Sequence, residues 1–78
     1  MEESILALIR EINEDAEVTD YDMDLLKSEV LDSLGIAQLV AALEDKFDLE
    51  IDAEDIVPEN FHSVHAIADL VKKTKQVQ

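Results

Sequence analysis

The sequence predicts an all-α protein, a small bundle of three principal helices plus one short helix. Three observations carry that expectation. Leu, Ala, Glu, Asp, Ile and Val dominate, with one Gly and one Pro, a composition that suits helices better than a sheet. Apolar residues recur at helical spacing in three separate stretches. The chain also has no Cys, and only Tyr21, Phe47 and Phe61 are aromatic. Disulfides and thiolate zinc sites are thereby excluded. Seventy-eight residues then make one domain, 1–78, whose core comes from aliphatic packing alone.

The elements follow in order. Ile5, Leu8, Ile9 and Ile12 fall at i, i+3, i+4 and i+7, on one face of a helix over residues 3–14. Glu2 and Glu3 stand at its start, where the helix dipole favours acids. Residues 15–31 lack that period. They mix Asp15, Glu17, Asp20, Asp22 and Asp24 with Val18, Tyr21, Met23, Leu25 and Leu26, as a long loop pinned by apolar residues would, with one helical turn near Leu25.

A second helix is expected from Ser33 to Phe47. Ile36, Leu39, Val40, Leu43 and Phe47 form its buried stripe, and Ala37, Ala41 and Ala42 allow close approach. Asp32 or Ser33 caps it. Gly35 in its first turn costs about 1 kcal/mol relative to Ala, which points either to a close contact there or to a loosely wound first turn. Leu49 and Ile51 point inward after the helix ends. Ala53 to Val57 form a short turn that Pro58 stops, because the residue before a proline disfavours α geometry. Ser63 caps the last helix, with Val64, Ile67, Ala68 and Val71 inward and lysines at its end.

Twenty acids against six bases give a formal charge of −14. Every acid lies within residues 2–69, whereas Lys72, Lys73 and Lys75 lie near the C-terminus. Such a surface repels nucleic acid and anionic membranes and steers basic protein partners. Its plainest consequence is solubility. No apolar run is long enough to span a membrane or act as a secretory signal, so a cytoplasmic monomer is expected.

Several chemistries fail on spacing. Asp20, Asp22 and Asp24 begin like a calcium loop, but the sixth position is Leu25 instead of Gly and the twelfth is Leu31 instead of Glu. His62 and His65 flank a helix start without a third ligand, which makes a metal site improbable. Ser33 has no Gly-x-Ser-x-Gly elbow and only those histidines as candidate bases, so a hydrolase nucleophile is disfavoured. A helix cap explains Ser33 well. Modification at a helix start, a natural place to hold a phosphate, explains it too.

The wider pattern separates these readings. Asp32-Ser33-Leu34 is followed by Gln38-Leu39-Val40-Ala41-Ala42-Leu43-Glu44-Asp45-Lys46-Phe47-Asp48, then Glu50-Ile51, then Ser63-Val64-His65-Ala66-Ile67-Ala68-Asp69-Leu70-Val71. This arrangement resembles the carrier proteins that bear a 4′-phosphopantetheine arm, the acyl carrier proteins and their aminoacyl and peptidyl relatives. The first helix and the long acidic loop fit as well, so the resemblance covers nearly the whole chain. Carriers of fatty acid synthesis usually place an acid after the triplet and another on the second turn, where this chain has Gly35 and Gln38. The segment between Ile51 and Val64 is also slightly longer, with Pro58-Glu59-Asn60-Phe61 inside it. Both traits are more like D-alanyl or other aminoacyl carriers, or carriers of specialised pathways.

The resemblance implies an acyl-carrier-like bundle that is not itself an enzyme. It implies that a phosphopantetheinyl transferase moves the arm from coenzyme A to Ser33, and that cargo rides as a thioester. That cargo could belong to fatty acid, polyketide, nonribosomal peptide or cell-envelope synthesis. Loading ligases or transferases and downstream enzymes would meet Leu34 with Ile36 or Ala37 through apolar contact, and Glu44, Asp45 and Asp48 through charge. Neutral Gly35 and Gln38 imply weaker salt-dependent steering toward fatty acid enzymes. Leu39, Val40, Leu43, Ile51, Ile56, Phe61 and Ile67 either line a cleft for cargo or pack as a closed core, and the closed core is the expectation. The rival expectation is a non-carrier acidic interaction module in which Ser33 is only a helix cap.

Overall fold

The computed structural model describes residues 1–77, so position 78 of the expected domain lies outside the described residues. Among them stand four helices: α1 (Glu2–Ile12), α2 (Ser33–Phe47), α3 (Pro58–Phe61) and α4 (Val64–Val77), with a 3-10 turn at Ala53–Asp55. This is the expected all-α bundle. α1 packs against α2 and α4, and α3 packs against α4.

α1 follows from its apolar period. Ile5 and Ile9 are fully buried, while Leu8 and Ile12 pack half-buried against the same core. The helix ends two residues earlier than the period suggests. Asn13 turns extended (φ −134°, ψ 94°), and its side-chain amide donates to the Val30 carbonyl at 3.2 Å. That bond ties the end of α1 to the loop that leads into α2.

The loop itself is ordered by its acids. The Ser28 N–H reaches the Asp24 carbonyl at 3.2 Å, closing the single helical turn expected near Leu25. Leu25 is fully buried, and its N–H donates to the His62 carbonyl at 2.7 Å. The Asp24 carboxylate accepts from the N–H groups of Leu26 (3.0 Å) and Lys27 (2.9 Å).

α2 buries Leu39, Val40 and Leu43, with Ile36 and Phe47 half-buried at the two ends of the stripe. It stops at Asp48, a left-handed residue (φ 52°, ψ 59°) whose N–H still reaches the Glu44 carbonyl. Leu49 and Ile51 then turn inward as expected. The α4 start is capped by Ser63, whose Oγ accepts the Ala66 N–H at 3.1 Å, and Val64, Ile67, Ala68, Leu70 and Val71 are buried.

One expectation needs correction. Pro58 does not merely stop a turn over residues 53–57; it starts α3. Proline suits the first helical position, where its missing N–H would have no partner and its fixed φ already fits. The four-residue helix exists to place Phe61, which is fully buried.

Candidate functional site

The site is built at the start of α2. Asp32 is extended (φ −115°, ψ −172°), and its carbonyl accepts the Ile36 N–H at 2.8 Å. Its carboxylate Oδ1 accepts the Gly35 N–H at 2.7 Å. Asp32 is therefore the helix cap, and the reading in which Ser33 holds that role is corrected. Ser33 is the first residue inside the helix. It is exposed, and its hydroxyl has no hydrogen-bond partner among the described residues.

Gly35, by contrast, is buried beside the cap. A Cβ placed there would stand 3.2 Å from Asp32 Oδ1 and 3.4 Å from Leu31 Cδ2. The close contact hinted at by a glycine in the first turn is thus internal.

Two grooves flank this helix start. One of about 600 Å³ opens at Ser33 and is walled by Leu26, Glu29, Leu31, Asp32, Ile36 and Pro58. The other, about 320 Å³, lies between the end of α1 and the start of α2, lined by Ile12, Asn13, Glu29, Val30, Asp32, Leu34, Gly35 and Gln38. Glu29 belongs to both, and it is held at a positive φ of 63°, an uncommon state for a residue with a Cβ. No sequence signal marks Glu29, Leu26 or Pro58 as neighbours of Ser33, because the long loop and α3 bring them there.

Six of the seven residues considered for a cargo cleft, Leu39, Val40, Leu43, Ile51, Phe61 and Ile67, are buried in the core. Ile56 is exposed instead. The cavity beside Ser33 is a different one, formed by the loop, the start of α2 and Pro58 of α3.

The histidines do not serve Ser33. His65 Nδ1 shares a 2.6 Å hydrogen bond with Asp22 Oδ1, and its Nε2 lies 4.0 Å from Glu2 Oε2. Its N–H donates to the Tyr21 carbonyl at 3.0 Å, and its ring meets the Tyr21 ring edge-on at 5.6 Å. Glu2 begins α1, whereas Ile12, at the other end, lines a groove beside α2's start. Eleven residues of helix span about 16 Å, so His65 and Ser33 sit toward opposite ends of α1. Neither histidine hydrogen-bonds to Ser33 among the described residues, and no group of three His, Asp or Glu there is arranged to hold a metal. The loop acids cap turns: Asp20 Oδ1 accepts the Asp22 N–H at 2.8 Å, and Asp24 serves two N–H groups.

The face expected to meet partners is largely as exposed as predicted. Leu34 is 66% exposed, a large apolar side chain standing beside Ser33. Ala37, Gln38, Asp45 and Asp48 are exposed too, whereas Ile36 is half-buried. Glu44 departs from the expectation, because it is half-buried and its Oε2 accepts the Ile51 N–H at 2.9 Å.

The structure is thus a helical bundle with an exposed, unengaged serine at the start of its second helix. The family model for the phosphopantetheine attachment site matches residues 3–71, and the chain belongs to that family. It is 31% identical over 74 residues to a D-alanyl carrier protein of Abiotrophia defectiva, with 94% of each chain covered. It is 30% identical over 76 residues to a D-alanyl carrier protein of Lactococcus lactis subsp. lactis, with 96% of each covered. A D-alanyl carrier protein of Streptococcus uberis is 36% identical over 52 residues, 67% of this chain and 66% of that one. No solved structure matches the chain significantly. The protein is a phosphopantetheine-dependent carrier and not itself an enzyme. Its cofactor is covalently attached 4′-phosphopantetheine. Among the described residues, no helix is long and apolar enough to cross a membrane.

Proposed function

We propose that Ser33 bears the arm and that the protein shuttles an aminoacyl cargo, as a cytoplasmic monomer acting as one carrier domain over 1–78. The observation that carries the attachment role is the division of labour at the start of α2. Asp32 caps the helix, and Ser33 is left exposed with an unengaged hydroxyl. In attachment, Ser33 Oγ displaces adenosine 3′,5′-bisphosphate from coenzyme A. One oxygen–phosphorus bond forms, another breaks, and the serine proton passes to a base on the transferase. The arm, once bound, supplies a terminal thiol on which cargo is held as a thioester.

The residues present fit such an arm. Its phosphodiester would sit at the N-terminus of a fifteen-residue helix, an interaction worth about 0.3–1 kcal/mol when exposed. That is modest, so the chain's contribution is presentation more than electrostatic holding. The groove of about 600 Å³ beginning at Ser33 offers the arm both apolar walls (Leu26, Leu31, Ile36) and acids (Glu29, Asp32).

The aminoacyl reading draws on the D-alanyl carrier relatives and on the neutral Gly35 and Gln38. It also draws on the core. Leu39, Leu43, Phe61 and Ile67 are fully buried, a packing that suits short, polar cargo better than a long acyl chain. On this reading the cell envelope is the destination of the cargo. The loading ligase and transferase would meet Leu34, Ala37, Asp45 and Asp48, with Ile36 and Glu44 supporting that surface from partly buried positions. Encounters there should be weak and quick, because a carrier held tightly by one enzyme cannot reach the next.

The test is intact mass after incubation with coenzyme A and a broad-specificity phosphopantetheinyl transferase, beside a Ser33→Ala control. The expected result is a gain of one phosphopantetheinyl group on the parent and none on the control. A control that gains the group would move the attachment point away from Ser33. Loading of the armed protein by a D-alanine ligase, against a fatty acyl ligase, then tests the cargo class.

A further inference from the structure

We infer that Glu29 determines cargo specificity: its carboxylate receives the α-ammonium of an aminoacyl thioester seated in the groove beside Ser33. The inference rests on the reading of Ser33 as the attachment residue and of the cargo as aminoacyl.

The groove that opens at Ser33 has a volume of about 600 Å³, within the range of sites that enclose small molecules. Leu26, Leu31, Ile36 and Pro58 give it apolar walls. Its charged residues are Glu29 and Asp32, with no Lys, Arg or His among the described lining. A cargo that ends in a cation meets opposite charge there, whereas an uncharged acyl group meets none.

The two acids are not equivalent. Asp32 Oδ1 accepts the Gly35 N–H at 2.7 Å, and the start of α2 offsets its charge. The Glu29 carboxylate takes no hydrogen bond and no ion pair from any described residue. Glu29 is also fixed in place. Its backbone is left-handed (φ 63°), and its N–H donates to the Leu26 carbonyl at 3.2 Å. Val30 and Leu31, which follow, are buried. The Val30 carbonyl accepts from the Asn13 amide at 3.2 Å, and the Leu31 N–H donates to the Leu25 carbonyl at 3.0 Å. An unengaged acid on a pinned backbone thus lines the same groove as the attachment residue.

The consequence is a seat that favours amines. Cargo among the apolar walls is screened from nucleophiles in solution, and an exposed ion pair strengthens such a seat by up to about fivefold. Loss of the Glu29 charge weakens the seat for an aminoacyl group and leaves it unchanged for an acyl group of the same length.

The experiment crosses cargo with variant on the full chain. D-alanyl-coenzyme A and propionyl-coenzyme A serve as donors for a broad-specificity phosphopantetheinyl transferase, so each protein receives arm and cargo together without a ligase. The variants are the parent, Glu29→Gln, and Glu17→Gln as a control that removes an exposed loop acid outside the groove. Release of cargo by hydroxylamine is followed by intact mass at about pH 6.5, where an α-amine is charged. The uncharged hydroxylamine nitrogen attacks the thioester carbon, the carbon–sulfur bond breaks, the cargo leaves as a hydroxamate, and the thiol takes the proton. Glu29→Gln should speed release of D-alanyl cargo about twofold to threefold and leave propionyl release unchanged. Glu17→Gln should change neither. Equal release from parent and Glu29→Gln, equal speeding of both cargoes, or the same effect from Glu17→Gln overturns the inference. A parent that gains no mass overturns the Ser33 reading instead, and refusal by the D-alanine ligase overturns the aminoacyl reading.

Discussion

Asp32 and Ser33 both carry side chains that cap helices, yet the fold gives them different roles. The Asp32 carboxylate is engaged with Gly35, whereas the Ser33 hydroxyl is not engaged with any described residue. Their removal should therefore differ in sign of importance for fold and function. Asp32→Ala is expected to lower stability by about 1 kcal/mol, the usual cost of a lost cap. Ser33→Ala should change it by less than about 0.5 kcal/mol, as surface substitutions away from special contacts do. Chemical denaturation of the two variants, with the denaturant slope held in view, measures the difference directly. A Ser33→Ala loss as large as that of Asp32→Ala would restore the cap role to Ser33. At another residue, Asp24, the carboxyl is held below the ordinary carboxylate range. The Lys27 N–H bond is the main cause; partial desolvation opposes it, while the Leu26 N–H and the charges of Lys27 and His62 add to the lowering. A lowered folded-state value means that the charged form stabilises the fold above the unfolded titration near about pH 4, and that this contribution fades as pH falls through the folded value. The gap in melting temperature between parent and Asp24→Asn should thus be constant above about pH 5 and shrink below about pH 4. A gap that keeps its size down to strong acid would count against it.

At the scale of elements, the amphipathic helices were legible because their apolar residues repeat at a period that only a helix satisfies. Ile5 and Ile9 in α1, Leu39 and Leu43 in α2, and Val64, Ile67 and Val71 in α4 all reached the core. What the pattern could not supply was register at the ends. Asn13 ends α1 because of a partner seventeen residues away, Val30, which no local window contains. Asp32 and Ser33 are adjacent capping residues, and only the folded backbone decides between them. α3 escaped for another reason: a proline can end one element or begin the next, and the burial of Phe61 settles which. The groove beside Ser33 was illegible because half of its wall comes from the aperiodic loop. The end of α2 yields a prediction of its own. Asp48 holds a left-handed conformation (φ 52°) that costs a residue with a Cβ about 1–2 kcal/mol. Glycine takes that state freely but loses more entropy on folding, about 0.5–1 kcal/mol. Asp48→Gly should therefore stabilise the protein by about 0.5–1 kcal/mol in urea denaturation. Destabilisation would mean that the Asp48 carboxylate holds the chain in a way its geometry does not reveal.

For the molecule as a whole, charge is the dominant fact. Twenty acids and six bases share a body of 33 × 21 × 20 Å, so no acid is far from many others. At about 10 mM salt the screening length is about 30 Å, comparable to the long axis of the molecule, and the acids repel one another across its full width. At about 0.15 M that length falls to about 8 Å, and only near neighbours still interact. Folding concentrates the like charges, so screening should favour the compact state. The melting temperature is expected to rise with sodium chloride, and most of the rise should come below about 0.15 M, where the screening length changes most. In a domain of this size, a gain of about 1 kcal/mol moves the midpoint by about 4–8 °C, which calorimetry resolves readily. Magnesium at equal ionic strength should do somewhat more, since divalent ions gather more strongly at an anionic surface. Its effect should grow gradually without a sharp saturation point, because the loop acids are engaged in turn caps instead of converging on a cation. A melting temperature flat in salt would show that the acids are already neutralised within the fold. Saturation at a stoichiometric amount of magnesium would instead reveal a dedicated cation site.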